Sequence, residues 1–441
     1  MARQPGLFDL EERYAALSAA GDPLERLASV VDFELFRPEL DAALDRSDRT
    51  KGGRPPYDPV LMFKVLVLQT LYTLSDDQSE YQMRDRLSFM RFCGLALEDR
   101  VPDAKTIWLW REQLTKAGAI LRLFERFDAV LRDAGYLAMG GQIVDATVVE
   151  ARRPRLTKGE KAMVRGGGVP EGWSKAKRVQ IDRDGRWTIK RGRRRSPRAG
   201  EPQARGAEIA VPVFGYKNHV GIDRRHGLIR SFAVTDAAAH DGRQLGQLLD
   251  PHNTASPVWA DTAYRSAANV ALLVRRGLVP QLQRPKPRGK PMPPHIARGN
   301  AARARVRAAV EHVFATQKCR LGLIVRSVGL ARATTRLGLA NLSPTCAASP
   351  GWQPDQPSPE PRAGRPGRPG ASRIGSPNLG THRPAPPGAD SALRSPLHAG
   401  SSRCPIDIST NFCSARALLL PMLSHSKAGI KDCRRLSGKS T

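Results

Sequence analysis

The chain has few cysteines and no long apolar run. Its 441 residues include six cysteines, none of them in a Cys-x-x-Cys pair. This spacing excludes the common structural zinc motifs and a dense disulfide framework, so we expect reduced thiols in a cytoplasmic protein. No stretch of about 18 apolar residues is present, so no membrane span is predicted. The N-terminus lacks the basic-then-apolar order of a signal peptide.

Acidic residues are scarce relative to basic ones. The sequence has 71 Lys and Arg against 42 Asp and Glu, which gives a net charge of +29 and a pI near 10.7. A positive excess of this size indicates a polyanionic partner, most commonly nucleic acid, with an anionic membrane surface as the alternative. With 40% hydrophobic residues, the chain can bury a core, although not over its whole length.

The first 135 residues have helical patterns. Amphipathic pieces precede the breaker KGGRPPYD, and an apolar helix over residues 59–74 follows, with Asp58 as its N-cap. We predict further helices over 79–93, 104–117 and 120–134. The pair 79–93 and 104–117 has the form of a helix-turn-helix, with a candidate DNA-binding helix that carries Lys105, Trp108 and Arg111. Any small helical bundle would show the same pattern, so both interpretations stay open here.

From Gly140 the patterns become those of strands. GGQIVDATVVEA is β-branched and carries a single acid, Asp145, at its centre. A basic insertion over 152–206 follows, and its segment 152–205 has 18 Lys and Arg against 5 Asp and Glu, so we expect a loop or a small hairpin that contacts DNA phosphates. VPVFGYKNHVGID and GLIRSFAVT predict an antiparallel hairpin. SPVWAD, which ends at Asp261, and LVPQLQ predict two more strands, separated by a helix.

A long helix over residues 300–321 follows a linker rich in Pro, Lys and Gly. At roughly 100° per residue, Arg307, Glu311 and Lys318 fall within about 40° of each other on this helix. Taken alone, this pattern is typical of a solvated face with weak i,i+4 ion pairs.

Three acids on three elements nevertheless predict a site. Asp145 interrupts an apolar strand, Asp261 closes another strand, and Glu311 projects from the long helix. If the first and fourth strands lie side by side in a mixed sheet, the three carboxylates can converge on Mg²⁺, which prefers oxygen ligands. Two such ions activate a water or a 3′-hydroxyl and stabilise the leaving oxygen of an in-line phosphoryl displacement. Arg307 and Lys318 would then contact DNA phosphates.

Four of these segments, in this order, resemble the DDE-type transposases of bacterial insertion sequences, especially insertion-sequence family 5. They are GGQIVDATVVEA, FGYKNHVGIDRRHGLIRSFAVTDAAAHD, PVWADTAY and RAAVEHVFATQK, and the helical segments before them resemble that family's N-terminal domain. The last segment has the spacing arginine, three residues, glutamate, six residues, lysine. A tyrosine often found three residues before the arginine is here Ala304.

This resemblance implies an RNase H-like α/β catalytic domain over 136–342, with a mixed sheet flanked by helices. It also implies Asp145, Asp261 and Glu311 as catalytic metal ligands for two Mg²⁺ ions, for which Mn²⁺ could substitute. The implied activity is binding of the terminal inverted repeats, strand cleavage and transfer of 3′ ends into double-stranded target DNA, by a homodimer associated with the bacterial nucleoid. The alternatives are a catalytically impaired DNA-binding remnant and a nuclease of the same fold.

Other polar residues in this part of the chain have structural interpretations. Asp223 is expected to serve a turn and His219 to be a satisfied structural imidazole. Asp241 is expected to cap a helix, although His240 and Asp241 could also approach the site.

The sequence changes character after Leu342. Residues 343–441 contain 15 of the 35 prolines and four of the six cysteines. This low-complexity composition is typical of a disordered tail. It also resembles the out-of-frame translation of a GC-rich gene, which suggests the hypothesis of a frameshifted or fused C-terminus.

Overall fold

The computed structural model describes residues 8–44, 55–193, 208–254 and 257–348. Its first part is entirely helical, as the patterns predicted. The helices of this part are α1 Asp9–Ala19, α2 Pro23–Val30, α3 Arg37–Ala43, α4 Pro59–Leu71, α5 Asp76–Asp85, α6 Leu87–Cys93, α7 Ala104–Lys116 and α8 Ala119–Asp133.

Helix α4 lies at the centre of this helical part. Its apolar residues are buried on nearly all sides, which is typical of a core helix rather than an amphipathic one. Asp58 caps its N-terminus by accepting hydrogen bonds from Val60 and Leu61. The Phe63 ring of α4 packs against Phe36, with 4.8 Å between ring centroids.

The prediction of one helix over residues 79–93 is wrong, because α5 and α6 are separate helices. Arg86 between them has an extended backbone, with φ −111° and ψ 112°. Its guanidinium lies 4.5 Å from the centroid of the Phe89 ring, a cation–π contact that a helical period does not reveal. The predicted helix is therefore interrupted at Arg86, before the turn that leads from α6 into α7.

The second part of the chain is built on a six-stranded mixed sheet. Its strands are β1 Gln142–Glu150, β2 Arg186–Arg193, β3 Glu208–Asp223, β4 Ile229–Asp236, β5 Pro257–Ala260 and β6 Val279–Leu282. The order is β2-β3-β1-β5-β6, and β4 pairs with the second half of β3. Strands β1, β3 and β4 are antiparallel, whereas β1, β5 and β6 are parallel. The predicted mixed α/β fold class is confirmed, including the first strand beside the fourth predicted strand.

The basic insertion contains more regular structure than the predicted loop or small hairpin. It forms α9 Lys158–Arg165, α10 Lys175–Gln180 and β2, which pairs with β3 along its whole length. Residues 194–207 lie outside the described residues. Asp182 anchors the insertion to the sheet, because both its carboxylate oxygens accept from the buried Tyr216 hydroxyl at 2.8 Å.

The remaining helices cover the sheet. They are α11 Leu245–Leu248, α12 Ala267–Arg275, α13 Pro294–Ala315 and α14 Leu330–Ala348. The predicted helix over 300–321 thus begins six residues earlier, and its last turn, Thr316–Arg320, is π-helical. A buried amide network of Asn218, Gln317 and Asn341 joins β3, this π-helical turn and α14.

Helix α14 continues past the predicted boundary at Leu342. It includes Ser343 and the buried Thr345 and ends at Ala348, while residues 349–441 lie outside the described residues. The predicted domain limits and the disordered or frameshifted tail therefore stay predictions. No helix in the described part of the chain is long and apolar enough to span a membrane.

Candidate active site

The register of two parallel strands places Asp145 beside Asp261. Ile143 on β1 pairs with Trp259 on β5, and each aspartate follows its paired residue by two positions, Asp145 within β1 and Asp261 just after β5. Adjacent strands lie about 4.8 Å apart, so the two aspartates stand at the same level of the sheet. Asp261 directly follows β5 and caps a short 3₁₀ turn by accepting from Ala263 at 2.8 Å.

Helix α13 brings the third carboxylate to these strands. It packs across β1 and β5, and Glu311 lies near its C-terminal end. One turn earlier, Arg307 Nη1 donates to Asp145 Oδ2 at 2.5 Å. The helix that carries Glu311 is thereby tied to the strand that carries Asp145.

The electrostatics of Asp145 show that the three carboxylates share one environment. The Asp145 side chain is 10% exposed. The pKa of Asp145 is raised to about 6, mainly by burial and to a smaller extent by the negative charges of Asp261 and Glu311, whereas Arg307 and the Ala146 N–H lower it. Asp261 and Glu311 are therefore close enough to act on Asp145, although burial is the larger effect.

Lys318 reaches the same strand from the π-helical turn. Its Nζ donates to the hydroxyl of Thr147, two residues beyond Asp145. Burial and the charge of Lys190 lower the pKa of Lys318, while Glu311 and Asp145 act in the opposite direction. Of the predicted set, Arg307 and Lys318 thus contact β1, through Asp145 and Thr147, whereas Glu311 between them is exposed.

The donor set suits a hard divalent cation in its chemistry. Three carboxylates repel each other around a buried Asp145 whose only ion pair in the described residues is with Arg307. A divalent ion relieves such repulsion, and oxygen ligands of this kind hold Mg²⁺. In the described part of the chain, however, no three Asp, Glu, His or Cys side chains have the spacing that would hold a metal ion in this conformation.

Two protein families match the chain in the order of its two structural parts. A transposase domain family (DUF772) matches residues 11–113, and the transposase DDE domain family matches residues 136–343. The chain belongs to the DDE-type transposases of insertion sequences. It is therefore an enzyme of DNA strand cleavage and transfer, in a class that acts on DNA and generally uses divalent metal ions.

A solved structure with partial likeness is the cryo-EM structure of the piggyBac transposase synaptic complex with hairpin DNA. The likeness covers 75% of this chain and 76% of that chain, with 10% sequence identity and a TM-score of 0.33. At that TM-score it supports no further conclusion about this transposase. Membership of insertion-sequence family 5 stays a resemblance.

Sequence reasoning missed Tyr264, which lies within the segment PVWADTAY. This tyrosine is fully buried, and its hydroxyl has no hydrogen-bond partner among the described residues. Burial, and then the charge of Asp145, raise the pKa of Tyr264, with smaller effects from Asp241 and Asp261. Its position three residues after Asp261 was the available signal, but a tyrosine at that spacing usually belongs to the core.

Asp241 does not cap a helix as predicted. The cap is His240, whose Nδ1 accepts from the backbone N–H of Gly242. Asp241 instead lies 2.8 Å from the ammonium of Lys217 on β3. Its negative charge also contributes to the raised pKa of Tyr264. His219 agrees only in part with its interpretation as a satisfied structural imidazole. It is buried and its Nε2 lies 2.8 Å from the Thr235 hydroxyl, but its Nδ1 has no hydrogen-bond partner among the described residues. Asp223 serves its turn as predicted, by accepting from His226 and Leu228.

The three candidate DNA-binding residues on helix α7 do not share one environment. Trp108 is 45% exposed, and Lys105 is also partly exposed. Arg111 is engaged within the transposase, because both its Nη atoms donate to Asp76 at 2.8 Å. Arg111 therefore positions α5 against α7, and the three residues do not form one free basic surface.

Proposed function

We propose that this transposase binds the terminal inverted repeats of its insertion sequence, cleaves the DNA strands there and transfers the 3′ ends into target DNA. The observation that carries the proposal is the parallel register that sets Asp145 beside Asp261, with Glu311 on a helix tied to the same strand. Asp145 is buried, Asp261 is half-buried and Glu311 is exposed, so the buried carboxylate stands beside two that solvent and a ligand can reach. A buried carboxylate is unfavourable unless it is paired or binds a cation, which supports a metal-binding role.

Each side chain has a role in this proposal. Asp145, Asp261 and Glu311 would hold two Mg²⁺ ions, or Mn²⁺ in their place. Bound there, the ions supply activation of a water or 3′-hydroxyl and stabilisation of the leaving 3′-oxygen. Arg307 compensates Asp145 in this structure, and a rearrangement of its side chain would present the guanidinium to the phosphate that reacts. Lys318, held at Thr147 two residues further along the same face of β1, would present its ammonium beside the same site.

The site assignment is tested by removing each carboxylate. Asp145→Ala, Asp261→Ala and Glu311→Ala are each expected to abolish Mg²⁺-dependent cleavage of a DNA duplex that carries the element's end. Binding of the same duplex should persist in all three. Glu125→Ala, which removes an exposed carboxylate from α8, is the matched control and should cleave normally. Normal cleavage by any of the three site variants would refute the assignment.

A catalytically impaired remnant that still binds DNA is the second candidate. It is favoured by Ser343 in α14, which is fully buried while its hydroxyl has no partner among the described residues. Buried hydroxyls without partners are unfavourable, as expected where a sequence no longer suits its fold. If the 441-residue protein binds but does not cleave, and a chain ending at Leu342 behaves alike, this candidate is supported. Translation of the other two reading frames after Leu342 tests the frameshift directly, and the hypothesis fails if neither continues an apolar and basic helix.

Strand transfer and assembly complete the proposal. Joining of cleaved ends to a target plasmid would separate a transposase from a nuclease of the same fold. Two ends must be cleaved together, so we propose a homodimer in the synaptic complex, within the cytoplasm and at the nucleoid. Sedimentation of the protein with and without end duplex measures this stoichiometry.

A further inference from the structure

A cleft outside the candidate active site lies where three parts of the chain meet. Its volume is about 570 Å³. One wall comes from α5 and α7. The other comes from Arg152, the second residue after β1, from segment 322–328 and from α14, with the end of α10 from the insertion. A ligand in this cleft would contact the helical part, the sheet part and the insertion together.

Five arginines line this cleft, and two of them are neutralised. Arg111 pairs with Asp76 at 2.8 Å, and Arg332 pairs with Glu112 at 2.7 Å. The other three have no carboxylate partner in the ranges that the structure describes. They are Arg152, Arg326 and Arg336. The cleft therefore has a net positive charge that the chain itself does not balance.

Of the three arginines without a carboxylate partner in the described ranges, Arg336 gives the strongest evidence for an anionic ligand. It lies partly buried on α14, and within the described part of the chain its side chain makes one long hydrogen bond, of 3.4 Å, to the hydroxyl of Thr70. Burial lowers the pKa of Arg336, and the charges of Arg111 and Arg326 lower it further. A cation held among other cations is unfavourable without an anion nearby. The cleft thus suits an anionic ligand.

The remaining lining indicates what kind of anion fits. Trp108 on α7 is 45% exposed and lines the same cleft as the arginines. Aromatic faces beside cations bind unpaired nucleotides, because bases stack on the ring while phosphates meet the charges. A volume of about 570 Å³ matches a small ligand and is far too small for a DNA duplex.

We propose that this cleft binds one or two unpaired nucleotides of the DNA substrate, with a base on Trp108 and phosphates on Arg152, Arg326 and Arg336. This inference rests on the proposed function in one respect, since it takes DNA as the substrate. From Asp145 to Arg152 the chain advances seven residues, two of them beyond the end of β1 at Glu150, which is at most roughly 23 Å at strand spacing. That length corresponds to at most roughly seven nucleotides at duplex spacing. The cleft would therefore hold DNA up to roughly seven nucleotides away from the reacting phosphate.

The first test measures binding of a labelled 20-nucleotide single strand of mixed sequence to the full chain in EDTA. Fluorescence anisotropy at several salt concentrations gives Kd and its salt dependence. In Arg152→Ala/Arg326→Ala, both exposed positions, we expect the slope of log Kd against log salt to fall by about 1.4, or about 0.7 for each lost phosphate contact. Kd should rise roughly tenfold at 0.1 M salt.

The matched control is Arg13→Ala/Arg275→Ala. It removes the same charge from exposed positions on α1 and α12 that do not line the cleft. If the control weakens binding as much as the cleft variant does, general charge explains the effect and the proposal is overturned. It is equally overturned if the cleft variant loses as much affinity for a blunt duplex as for the single strand.

Trp108 provides an independent readout. The single strand should quench tryptophan emission of the wild-type protein, and Trp108→Phe should lose most of that quenching while keeping its secondary structure by circular dichroism. Unchanged quenching in Trp108→Phe would overturn the stacking contact. Because these measurements need no cleavage, they stand even if the assignment of Asp145, Asp261 and Glu311 fails.

Discussion

At the scale of single residues, the contact between Asp145 and Arg307 sets the state of the site. Asp145 is nearly buried, and its carboxylate accepts from Ala146 N–H and Arg307. Arg307 is 23% exposed at its side chain, so solvent screens the pair only in part. The Arg307 guanidinium occupies the position at the Asp145 carboxylate where the proposed metal ion would otherwise bind. Its positive charge offsets part of the repulsion among the carboxylates, so the site stays folded without a metal ion.

This contact gives a stability prediction for protein in EDTA. Arg307→Met leaves the Asp145 carboxylate buried without a cation, and the free energy of unfolding should fall by about 3 kcal/mol. Adding Asp145→Asn removes the unpaired buried charge, so the double variant should recover most of the lost free energy of unfolding. Urea unfolding of the wild type, both single variants and the double variant completes the cycle. Simple additivity of the two single effects would show that the pair is not coupled.

At the scale of elements, the start of β1 fixes the register on which the site depends. Gly141 has φ +96°, and a Cβ there would lie 2.4 Å from the carbonyl oxygen of Pro257 on β5. The two strands can approach this closely only because the side chain is absent. The pairing of Ile143 with Trp259, and with it the level of Asp145 beside Asp261, follows directly after this contact.

Gly141→Ala should therefore damage both stability and cleavage. The left-handed backbone costs about 1–2 kcal/mol for a residue with a Cβ, and the clash with Pro257 adds to it, so we expect a loss above about 2 kcal/mol and weaker end cleavage. Gly135→Ala is the matched control. Gly135 has φ +86°, but no heavy atom lies within 4 Å of its added Cβ. It should lose about 1 kcal/mol and cleave normally. Equal losses in the two variants would mean that the close approach to β5 is unimportant.

The elements also show how far sequence reasoning reached. Strand order permitted Asp145 next to Asp261, because the first and fourth predicted strands can lie side by side in a mixed sheet, and the resemblance to DDE transposases implied the same pair. The ion pair of Arg307 with Asp145 could not be predicted, since it depends on how α13 crosses β1. The break at Arg86 depends on ring contacts with Phe89, which leave no periodic signal. The folded part of the insertion depends on Asp182 and Tyr216, which are 34 residues apart.

At the scale of the whole molecule, positive charge is the dominant property. The net charge of +29 is much larger than the positive charge carried by the side chains of the candidate site and the cleft. Clustered cations attract the DNA backbone irrespective of sequence, and this attraction weakens as counterions compete. Recognition of element ends therefore adds to a large nonspecific affinity for DNA. The site carboxylates are negatively charged and contribute nothing to that nonspecific affinity.

The last prediction separates these two kinds of binding. For a random duplex, we expect affinity to fall by roughly 10³-fold or more between 50 and 200 mM salt, with a linear plot of log Kd against log salt. Asp261→Ala should give nearly the same line as the wild type, because Asp261 forms no ion pair among the described residues and its removal frees no cation to contact phosphates. A duplex with the terminal inverted repeat should retain affinity at 200 mM salt that the random duplex has lost. Salt-independent binding of the random duplex would contradict the view that charge drives the nonspecific step. Equal loss for both duplexes would show that the chain does not discriminate element ends.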